Sequence, residues 1–422
     1  MKKFLSIIFF IIAVVSIHAD DSIINYQLST INYQLSTPAH PARNSNAAMR
    51  HWNFALDGGY GVVIKHSKWV KTFLQDQGMW SVGGELRYST LPSDSNAFDH
   101  DYNYPTLFLG ARYGNYNKVT QRRTNSTYTS NVGNVFSLYA GFSRSWLRTG
   151  RWDFDYTMTA GASYITNPYD INDNVDNELI GSAWNIYFGL GLHATCRISN
   201  DIGIRIGMEY MHNSNGAFAR PNMGTNAFMP ALALVYHPEY KEREKDIKET
   251  SGYNKYAFKR YLYTEITFGY TRRTLNEEWV YDRPNHKHYP NYSGQLSLMY
   301  RYARRWASGI GVDVDYGDYA WRVEEIEKSN GVEYDNYSPW SVGLSLRHET
   351  FYKNLSLALA IGGYLHRHIG SNAEDVDKRY YERASIRYHI PALGGLTIGF
   401  GIKAHAARAD YAEVQIAVPI RF

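Results

Sequence analysis

The chain has 422 residues, which is enough for one large domain or two ordinary ones. Its formal net charge of +4 is modest over this length and gives no support for nucleic acid as a partner. The single cysteine, Cys196, excludes an internal disulfide, so the fold cannot depend on oxidative cross-links.

The first segment predicted in chain order is a secretory signal peptide over residues 1–19. Two lysines give it a positive start, residues 4–15 are apolar except for Ser6, and Ala19 supplies a small residue at the expected cleavage point. This run is too short, and wrongly flanked, for a membrane-spanning helix. Residues 20–50 follow as a polar periplasmic leader, in which the heptapeptide INYQLST occurs twice.

From residue 51 onward, apolar and polar residues alternate with the period of two that is typical of β-strands. Aromatic residues make up 15% of the chain, 37 of them Tyr, and the chain also has 34 Gly. The mean hydropathy of −0.44 alone would suit a soluble protein. Both patterns favour an all-β, transmembrane antiparallel β-barrel, because only alternate residues then contact lipid and aromatic residues gather at the interfaces. The last strand ends at Phe422, and this terminal aromatic residue resembles an outer-membrane assembly signal.

We predict about sixteen strands, joined by long loops on the outer side and short turns on the periplasmic side. Two connections depart from this rule: 91–103 is long where a turn is expected, and 407–410 is short where a loop is expected. The predicted strands cover 52–64, 78–90, 104–114, 134–147, 152–165, 183–198, 202–212, 226–237, 259–273, 290–303, 306–322, 338–351, 354–366, 379–390, 395–406 and 411–422.

A nearly all-charged stretch, residues 239–249, separates the first eight predicted strands from the last eight. Such a stretch is typical of a solvated linker or a short exposed helix. We therefore divide the chain into a barrel region at 51–237, a charged periplasmic linker at 238–258 and a second barrel region at 259–422. Tandem eight-stranded barrels and one wide barrel with a periplasmic insertion both fit this pattern.

The residues most indicative of chemistry lie at the end of the seventh predicted strand. Alternation places the even-numbered residues of 202–210 toward lipid, and His212 and Ser214 continue that row, while Asn226 lies on the same face of the next strand. A serine hydroxyl is a poor nucleophile until a neighbouring base takes its proton, and the base needs a third group to orient it. The sequence therefore predicts a Ser–His–Asn ester-hydrolase site near the outer-leaflet boundary.

Groups directly after the serine could stabilise the oxyanion of such a reaction. Backbone N–H groups or side-chain amides of Asn215, Gly216 and Ala217 are the candidates. The chemistry requires no metal and no cofactor. The competing structural interpretation is that polar residues at a strand end merely satisfy the membrane interface.

The stretches H-N-S-N-G (212–216) and P-N-M-G-T-N (221–226) resemble the signature of outer-membrane lipid A 3-O-deacylases, closest to the acyloxyacyl hydrolases of Bacteroidetes-type bacteria. That family is an eight-stranded barrel whose His-x-Ser pair lies on the outer wall and removes an acyl chain from lipid A. The resemblance implies that His212 is the base and Ser214 the nucleophile. It covers roughly residues 50–237, and K-A-H-A-A-R-A-D-Y near the C-terminus is similar to the ending of longer members.

The third member of that family's site is often Glu, fourteen positions after the histidine, where this chain has Asn226. Outer-membrane phospholipase A also has a His-x-Ser-Asn-Gly stretch with Asn at that distance, and this second resemblance implies Ca²⁺ and a homodimer. Under either resemblance the partner is a lipid of the outer leaflet, lipid A of lipopolysaccharide first, and the chain lies in the cell outer membrane. The alternative of another class is a non-catalytic porin or structural barrel with a degenerate site.

Other titratable residues in the strands are interpreted as structural. Alternation turns His405 toward the barrel interior, where it is most simply a satisfied interior residue. Asp313 and Asp315 share an inward face, which is typical of an ion-pair network. Arg205 and Glu209 also point inward, where they can pair.

An acidic loop precedes the sixth predicted strand. It has a spacing that sometimes binds a divalent cation, but it lacks the glycine and the terminal glutamate of such loops. We expect a solvated loop that packs near the site, followed by a stretch at 177–182 that resembles the deacylase family. The acidic residues are Asp170, Asp173, Asp176 and Glu178.

Overall fold

The computed structural model describes residues 50–250, 257–281, 287–371, 379–406 and 408–422. The predicted signal peptide, nearly all of the predicted leader and the end of the predicted linker lie outside the described residues. Residues 50–422 belong to one compact unit.

Sixteen strands in the described chain form two closed antiparallel barrels of eight strands each, so the tandem arrangement is the correct one of the two predicted. In the first barrel β1 pairs with β8, and in the second β9 pairs with β16. The first barrel has strands β1 (Trp52–Val63), β2 (Gly78–Ser89), β3 (Thr106–Gln121), β4 (Ser130–Thr149), β5 (Trp152–Ile165), β6 (Trp184–Arg197), β7 (Ile202–Ser214) and β8 (Thr225–Tyr236). The second has β9 (Tyr261–Arg273), β10 (Tyr289–Arg301), β11 (Trp306–Gly317), β12 (Trp340–Tyr352), β13 (Leu355–Arg367), β14 (Tyr380–Ile390), β15 (Leu396–His405) and β16 (Arg408–Arg421).

The β3–β4 hairpin is longer than the sequence predicts. The prediction placed a loop at 115–133, but the strands continue to Gln121 and resume at Ser130. This extension contains Asn117, Lys118 and Thr120, so it lacks the apolar alternation that marks the rest of each strand.

The outer surface of both barrels is apolar along the strands, as the alternation predicts. Within β4, Leu138 is 70% exposed while its neighbour Ser137 is 4% exposed. The even-numbered residues of 202–208 in β7 are exposed, whereas Arg205 and Glu209 are buried inside the barrel. An apolar outer band over a polar interior is the surface of a barrel that spans a membrane.

Buried ion pairs fill the interior of the first barrel. Arg112 lies 2.6 Å from both Asp57 and Glu209. The predicted pairing of Arg205 with Glu209 is wrong: Arg205 lies 3.2 Å from Glu85 of β2 instead. A closed barrel brings strands that are distant in sequence to face each other across the interior, and this offers each charge partners beyond its own strand.

The interior of the second barrel contains the predicted ion-pair network. Asp313 lies 2.7 Å from Arg347, and Arg383 joins Asp313 to Asp315 at 3.3 and 2.7 Å. The amine of Lys403 also pairs with Asp315. Paired side chains therefore bridge the interior of the barrel at these levels.

Five helices of the described chain lie in the connections: α1 (Lys68–Phe73), α2 (Ala97–Asp101), α3 (Tyr240–Thr250), α4 (Asn276–Tyr281) and α5 (Ala320–Ser329). In the part of the chain described, no helix is long and apolar enough to cross a membrane. The charged stretch between the barrels is the helix α3, and its Arg243 is buried, donating to the carbonyl of Tyr104 at 2.9 Å.

The unusually long 91–103 connection has a structural reason, because it packs against the second barrel. Its helix α2 places the buried Asp99 against Tyr352, whose hydroxyl donates to it at 2.5 Å. The Tyr102 hydroxyl donates to the carbonyl of Phe351 at 2.9 Å. A short turn could not make these contacts between the barrels.

Candidate active site

The candidate site lies where β7 ends and β8 begins, on the outer wall of the first barrel. The two strands are antiparallel neighbours, and their register places His212 directly opposite Asn226. Ser214 is two residues beyond His212, so both project to the same face of the strand. All three residues predicted from the sequence are therefore neighbours.

Two hydrogen bonds join the three side chains in a row. The Ser214 hydroxyl lies 2.8 Å from Nε2 of His212, and Nδ1 of His212 lies 2.9 Å from Oδ1 of Asn226. An amide oxygen only accepts, so His212 donates from Nδ1 and leaves Nε2 to accept the serine proton. This is the tautomer that a general base needs.

Two further residues fix the orientation of Asn226, and the sequence analysis did not identify either of them. The Tyr210 hydroxyl donates to Oδ1 of Asn226 at 2.5 Å. The amide Nδ2 of Asn226 lies 3.2 Å from Nδ1 of His66 and donates to it. Because Oδ1 accepts from two donors, the amide cannot flip without losing both bonds.

His66 reaches the site because β1 closes the barrel against β8. Val63 pairs with Ala227, and the N–H of Ile64 donates to the carbonyl of Asn226 at 2.7 Å. His66 follows in the connection to α1, and burial lowers the pKa of its imidazole below the usual range. It is therefore neutral near pH 7, which lets Nδ1 accept a hydrogen bond.

Gly224 explains part of the P-N-M-G-T-N motif. Its φ of +72° lies in the left-handed region, which a glycine adopts without steric cost. A Cβ at this position would lie 2.9 Å from Cε1 of His212. A larger residue would therefore displace the imidazole.

The segment after the serine is tightly held. The backbone N–H of Asn215 donates to Oδ1 of Asn222 at 3.0 Å, and its side-chain amide donates to the Ser182 hydroxyl at 3.1 Å. Gly216 and Ala217 both adopt positive φ angles, of +62° and +66°. Their carbonyls point to the second barrel: Gly216 accepts from the N–H of Ala412 at 3.0 Å, and Ala217 accepts from Thr274.

The acidic loop supports the site from the other side, but it is not solvated throughout as predicted. Asp176 and Glu178 are buried, and Arg123 forms ion pairs with both. The carbonyl of Leu179 accepts from the N–H of Gly224 at 2.9 Å, which joins the 177–182 stretch to the strand that carries Asn226. Among the described residues, no three His, Cys, Asp or Glu side chains are grouped so that they could hold a metal ion.

The C-terminal histidine faces the interior of the second barrel, as predicted. His405 is buried, and its Nε2 lies 2.7 Å from the hydroxyl of Tyr364. Asp410, which lies 4.0 Å from Nδ1 of His405, forms an ion pair with Arg273.

Comparisons with known families match both halves of the chain. Residues 96–235 match the family model described as "Lipid A 3-O-deacylase (PagL)", and residues 261–422 match the model described as "Acyloxyacyl hydrolase, C-terminal domain". The resemblance predicted from the sequence is confirmed, and the second match extends it to the second barrel. No curated protein matches this chain.

Solved structures similar to this chain include two from Pseudomonas. OccD3 (OpdP) of Pseudomonas aeruginosa is 10% identical over 88% of this chain and 91% of that chain, with a TM-score of 0.22. A BenF-like porin from Pseudomonas fluorescens Pf-5 is 8% identical over 88% of this chain and 98% of that chain, with a TM-score of 0.21. Scores this low carry no inference about function.

Proposed function

We propose that this chain hydrolyses an acyl ester of lipid A in the outer membrane. It belongs to the lipid A 3-O-deacylase family through residues 96–235 and has the acyloxyacyl hydrolase C-terminal domain at 261–422. The ester is the one at the 3-position. The observation that carries the proposal is the row of two hydrogen bonds from Ser214 through His212 to Asn226 on the outer wall of the first barrel, where Ser214 and Asn226 are each 4% exposed.

The proposed reaction proceeds in two steps. The Ser214 oxygen attacks the acyl carbonyl while Nε2 of His212 takes the hydroxyl proton, and Oδ1 of Asn226 holds the imidazole through Nδ1–H. The tetrahedral intermediate collapses, the ester C–O bond breaks, and His212 returns the proton to the leaving sugar hydroxyl. Water then attacks the acyl-enzyme while His212 takes its proton, the bond between the acyl carbon and the Ser214 oxygen breaks, and His212 gives the proton to that oxygen as the carboxylic acid leaves.

For the oxyanion we retain Asn215, Gly216 and Ala217 as the proposed donors, with one refinement. The N–H of Asn215 already donates to Asn222, and one N–H of its side-chain amide donates to Ser182, so the second N–H of that amide is the group we propose. The positive φ angles of Gly216 and Ala217 turn successive N–H groups in directions that an extended strand does not offer.

The apolar wall beside the site suits an acyl chain. Phe188 of β6 lies opposite His212 in register, and the rings of Tyr210 and Phe228 lie tilted against each other with their centres 5.5 Å apart. A lipid chain lying along this wall would bring its ester to the level where β7 ends. The membrane would then form part of the binding site.

Mass spectrometry of lipid A from cells expressing the wild type or Ser214→Ala tests the proposal. Loss of one hydroxyacyl chain with the wild type only is expected. Unchanged lipid A together with phospholipid breakdown by the wild type would instead favour outer-membrane phospholipase A activity, which Asn226 also suits. Ca²⁺ dependence and formation of a homodimer would then be tested. No change in any lipid from a folded barrel would favour the porin or structural alternative, and planar-bilayer conductance would then separate those two.

A further inference from the structure

A small cavity, open to solvent, lies at the end of the second barrel nearest the candidate site. Its charged lining contains four guanidinium groups and one imidazole but only two carboxylates, so positive groups prevail. We call this space the arginine cavity. The charged residues that define it are Arg220, Arg273, Arg367, Arg408, His405, Glu277 and Asp410.

Both barrels contribute to the arginine cavity. Arg220 belongs to the same loop as the candidate nucleophile, six residues after Ser214. Arg273 is the last residue of β9, and the next residue, Thr274, donates to the carbonyl of Ala217 in that loop. The cavity is thus joined to the candidate site by a few residues of backbone.

Two carboxylates, Glu277 and Asp410, face the four guanidinium groups of the cavity. Asp410 is shared: it pairs with Arg273, and it also lies 3.9 Å from Arg367 and 4.0 Å from Nδ1 of His405. Arg220 donates to the carbonyl of Thr274 at 3.4 Å. Burial, together with the neighbouring charge of Arg273, lowers the pKa of Arg220 to about 10, as expected for a cation in a positive environment.

Two buried donors in this cavity lack an acceptor. Within the described chain, Nε of Arg220 and Nε of Arg273 are shielded from solvent and have no hydrogen-bond partner. The whole Arg273 residue is only 9% exposed. Nε of other buried arginines, such as Arg112 and Arg383, also has no partner, but those guanidinium groups form ion pairs with carboxylates. Arg220 instead donates to a carbonyl, so its charge in a cationic cavity indicates an anionic ligand. A guanidinium group presents a planar set of donors that matches phosphate oxygens.

We propose that the arginine cavity binds a phosphate ester on the head group of the lipid whose acyl ester is cleaved at Ser214. This inference rests on the proposed function. Arg273, Arg367 and His405 end their strands and Arg408 begins one, so these groups lie at the level where the apolar wall stops. Lipid phosphates lie at that level of a membrane, beside a site that takes the acyl chain.

The test compares lipid A with the same lipid A from which the phosphates have been removed. Both are presented in mixed micelles to the full chain, and KM is measured for hydrolysis. Binding is measured separately with Ser214→Ala, which does not depend on turnover. We expect about tenfold tighter binding and a lower KM for the phosphorylated lipid, and we expect this preference to disappear in Arg220→Gln and in Arg408→Gln.

Arg272→Gln is the matched control, because it removes the same charge from the same end of the second barrel but from an exposed position outside the cavity. It should keep the preference. Arg408 is exposed, so its variant keeps the test decisive if the Arg220 variant fails to fold. Equal binding of both lipids by Ser214→Ala, or a preference that survives in the Arg408 variant, would overturn the proposal.

Inorganic phosphate is the second probe. If it binds through Arg408 while neither lipid is preferred, the cavity is a site for free phosphate and the lipid assignment is wrong. If the wild type hydrolyses neither lipid, the proposed function fails, but binding by Ser214→Ala still decides the present inference. A phosphate preference lost in Arg408→Gln would then support it, and no preference would overturn it.

Discussion

The carbonyl of Ala217 accepts two hydrogen bonds from Thr274, one from its backbone N–H and one from its hydroxyl, both at 3.0 Å. Ala217 lies three residues after the candidate nucleophile in the first barrel, and Thr274 directly follows β9 of the second. With the bond from Ala412 to Gly216, the second barrel holds the segment proposed to bind the oxyanion. This gives the C-terminal half a role in the site although it has no His-x-Ser pair of its own on an outer row.

Replacing Gly216 should therefore reduce activity without unfolding the barrels. In Gly216→Ala, the new Cβ would lie 2.5 Å from Cβ of Ala412 and would force the two barrels apart at this point. We expect kcat to fall about tenfold or more, measured as release of hydroxyacyl chain, with β-structure unchanged by circular dichroism.

Gly150→Ala is the control for backbone strain, because Gly150 also has a positive φ, of +55°, but has nothing within 4 Å of the added Cβ. Both variants incur the left-handed penalty of about 1 kcal/mol. Equal activity of the two variants would show that the contact with Ala412 does not matter for the reaction.

Removal of the Asn226 side chain should lower kcat more than it raises KM. In Asn226→Ala, the imidazole loses the acceptor at 2.9 Å that selects its tautomer. General-base catalysis contributes about 10²–10⁴-fold, so we expect a fall in kcat of about 10²-fold or more.

Asn213→Ala is the matched control for Asn226. Asn213 also makes a cross-strand bond between β7 and β8, to the Thr225 hydroxyl at 3.0 Å, but it is buried on the inner face. We expect lower stability and nearly full kcat. A similar loss of kcat in both variants would mean that strand pairing, rather than orientation of His212, explains the effect.

Acid should weaken the site through His66. Because burial lowers the pKa of His66 in the folded chain, the unfolded chain binds a proton first as the pH falls through about 6.5. The corresponding stability is present at neutral pH and is lost as the pH falls below the unfolded pKa. The protonated imidazole could no longer accept from Asn226.

The measurement is the free energy of unfolding against pH for the wild type and for His66→Gln, both in the Ser214→Ala background. Glutamine offers an acceptor oxygen and does not titrate, so its profile should be flatter between pH 7 and 5, by at most one proton. Parallel profiles for the two proteins would contradict this account of His66.

Alternation along single strands was enough to predict which face His212, Ser214 and Asn226 share. It needed the period of two, since a two-residue shift keeps the face, and the expectation that consecutive strands are neighbours in the barrel. The role of His66 could not be predicted in this way. It depends on closure of the ring between β1 and β8, and the sequence left open whether the barrel closed after eight strands or sixteen.

The incorrect pairing predicted for Arg205 has the same origin. Residues four apart on a strand share a face, but the inside of a closed barrel offers charges from every strand, and Glu85 is nearer than Glu209 as a hydrogen-bond partner. The buried state of Asp176 and Glu178 likewise depends on Arg123, which the extended β3–β4 hairpin carries to the acidic loop. Long-range contacts of this kind leave no periodic signal in the sequence.

The contact between Asp99 and Tyr352 should stabilise the joined barrels while leaving catalysis unchanged, because it lies at the end of the barrels away from the candidate site. Asp99→Ala would leave the largely buried Tyr352 hydroxyl without its acceptor at 2.5 Å and would also remove the Lys353 ion pair at 3.1 Å. We expect a loss of about 1–3 kcal/mol in the free energy of unfolding, and a smaller loss for Tyr352→Phe. The double variant should lose less free energy of unfolding than the sum of the two single losses, because the hydroxyl that Asp99→Ala leaves unpaired is then absent.

Asp99→Asn keeps an acceptor for Tyr352 but not the charge for Lys353, so it separates the two contacts. Strictly additive losses would show that the two side chains do not interact, and a loss of hydrolysis in these variants would show that the two ends of the barrels are coupled.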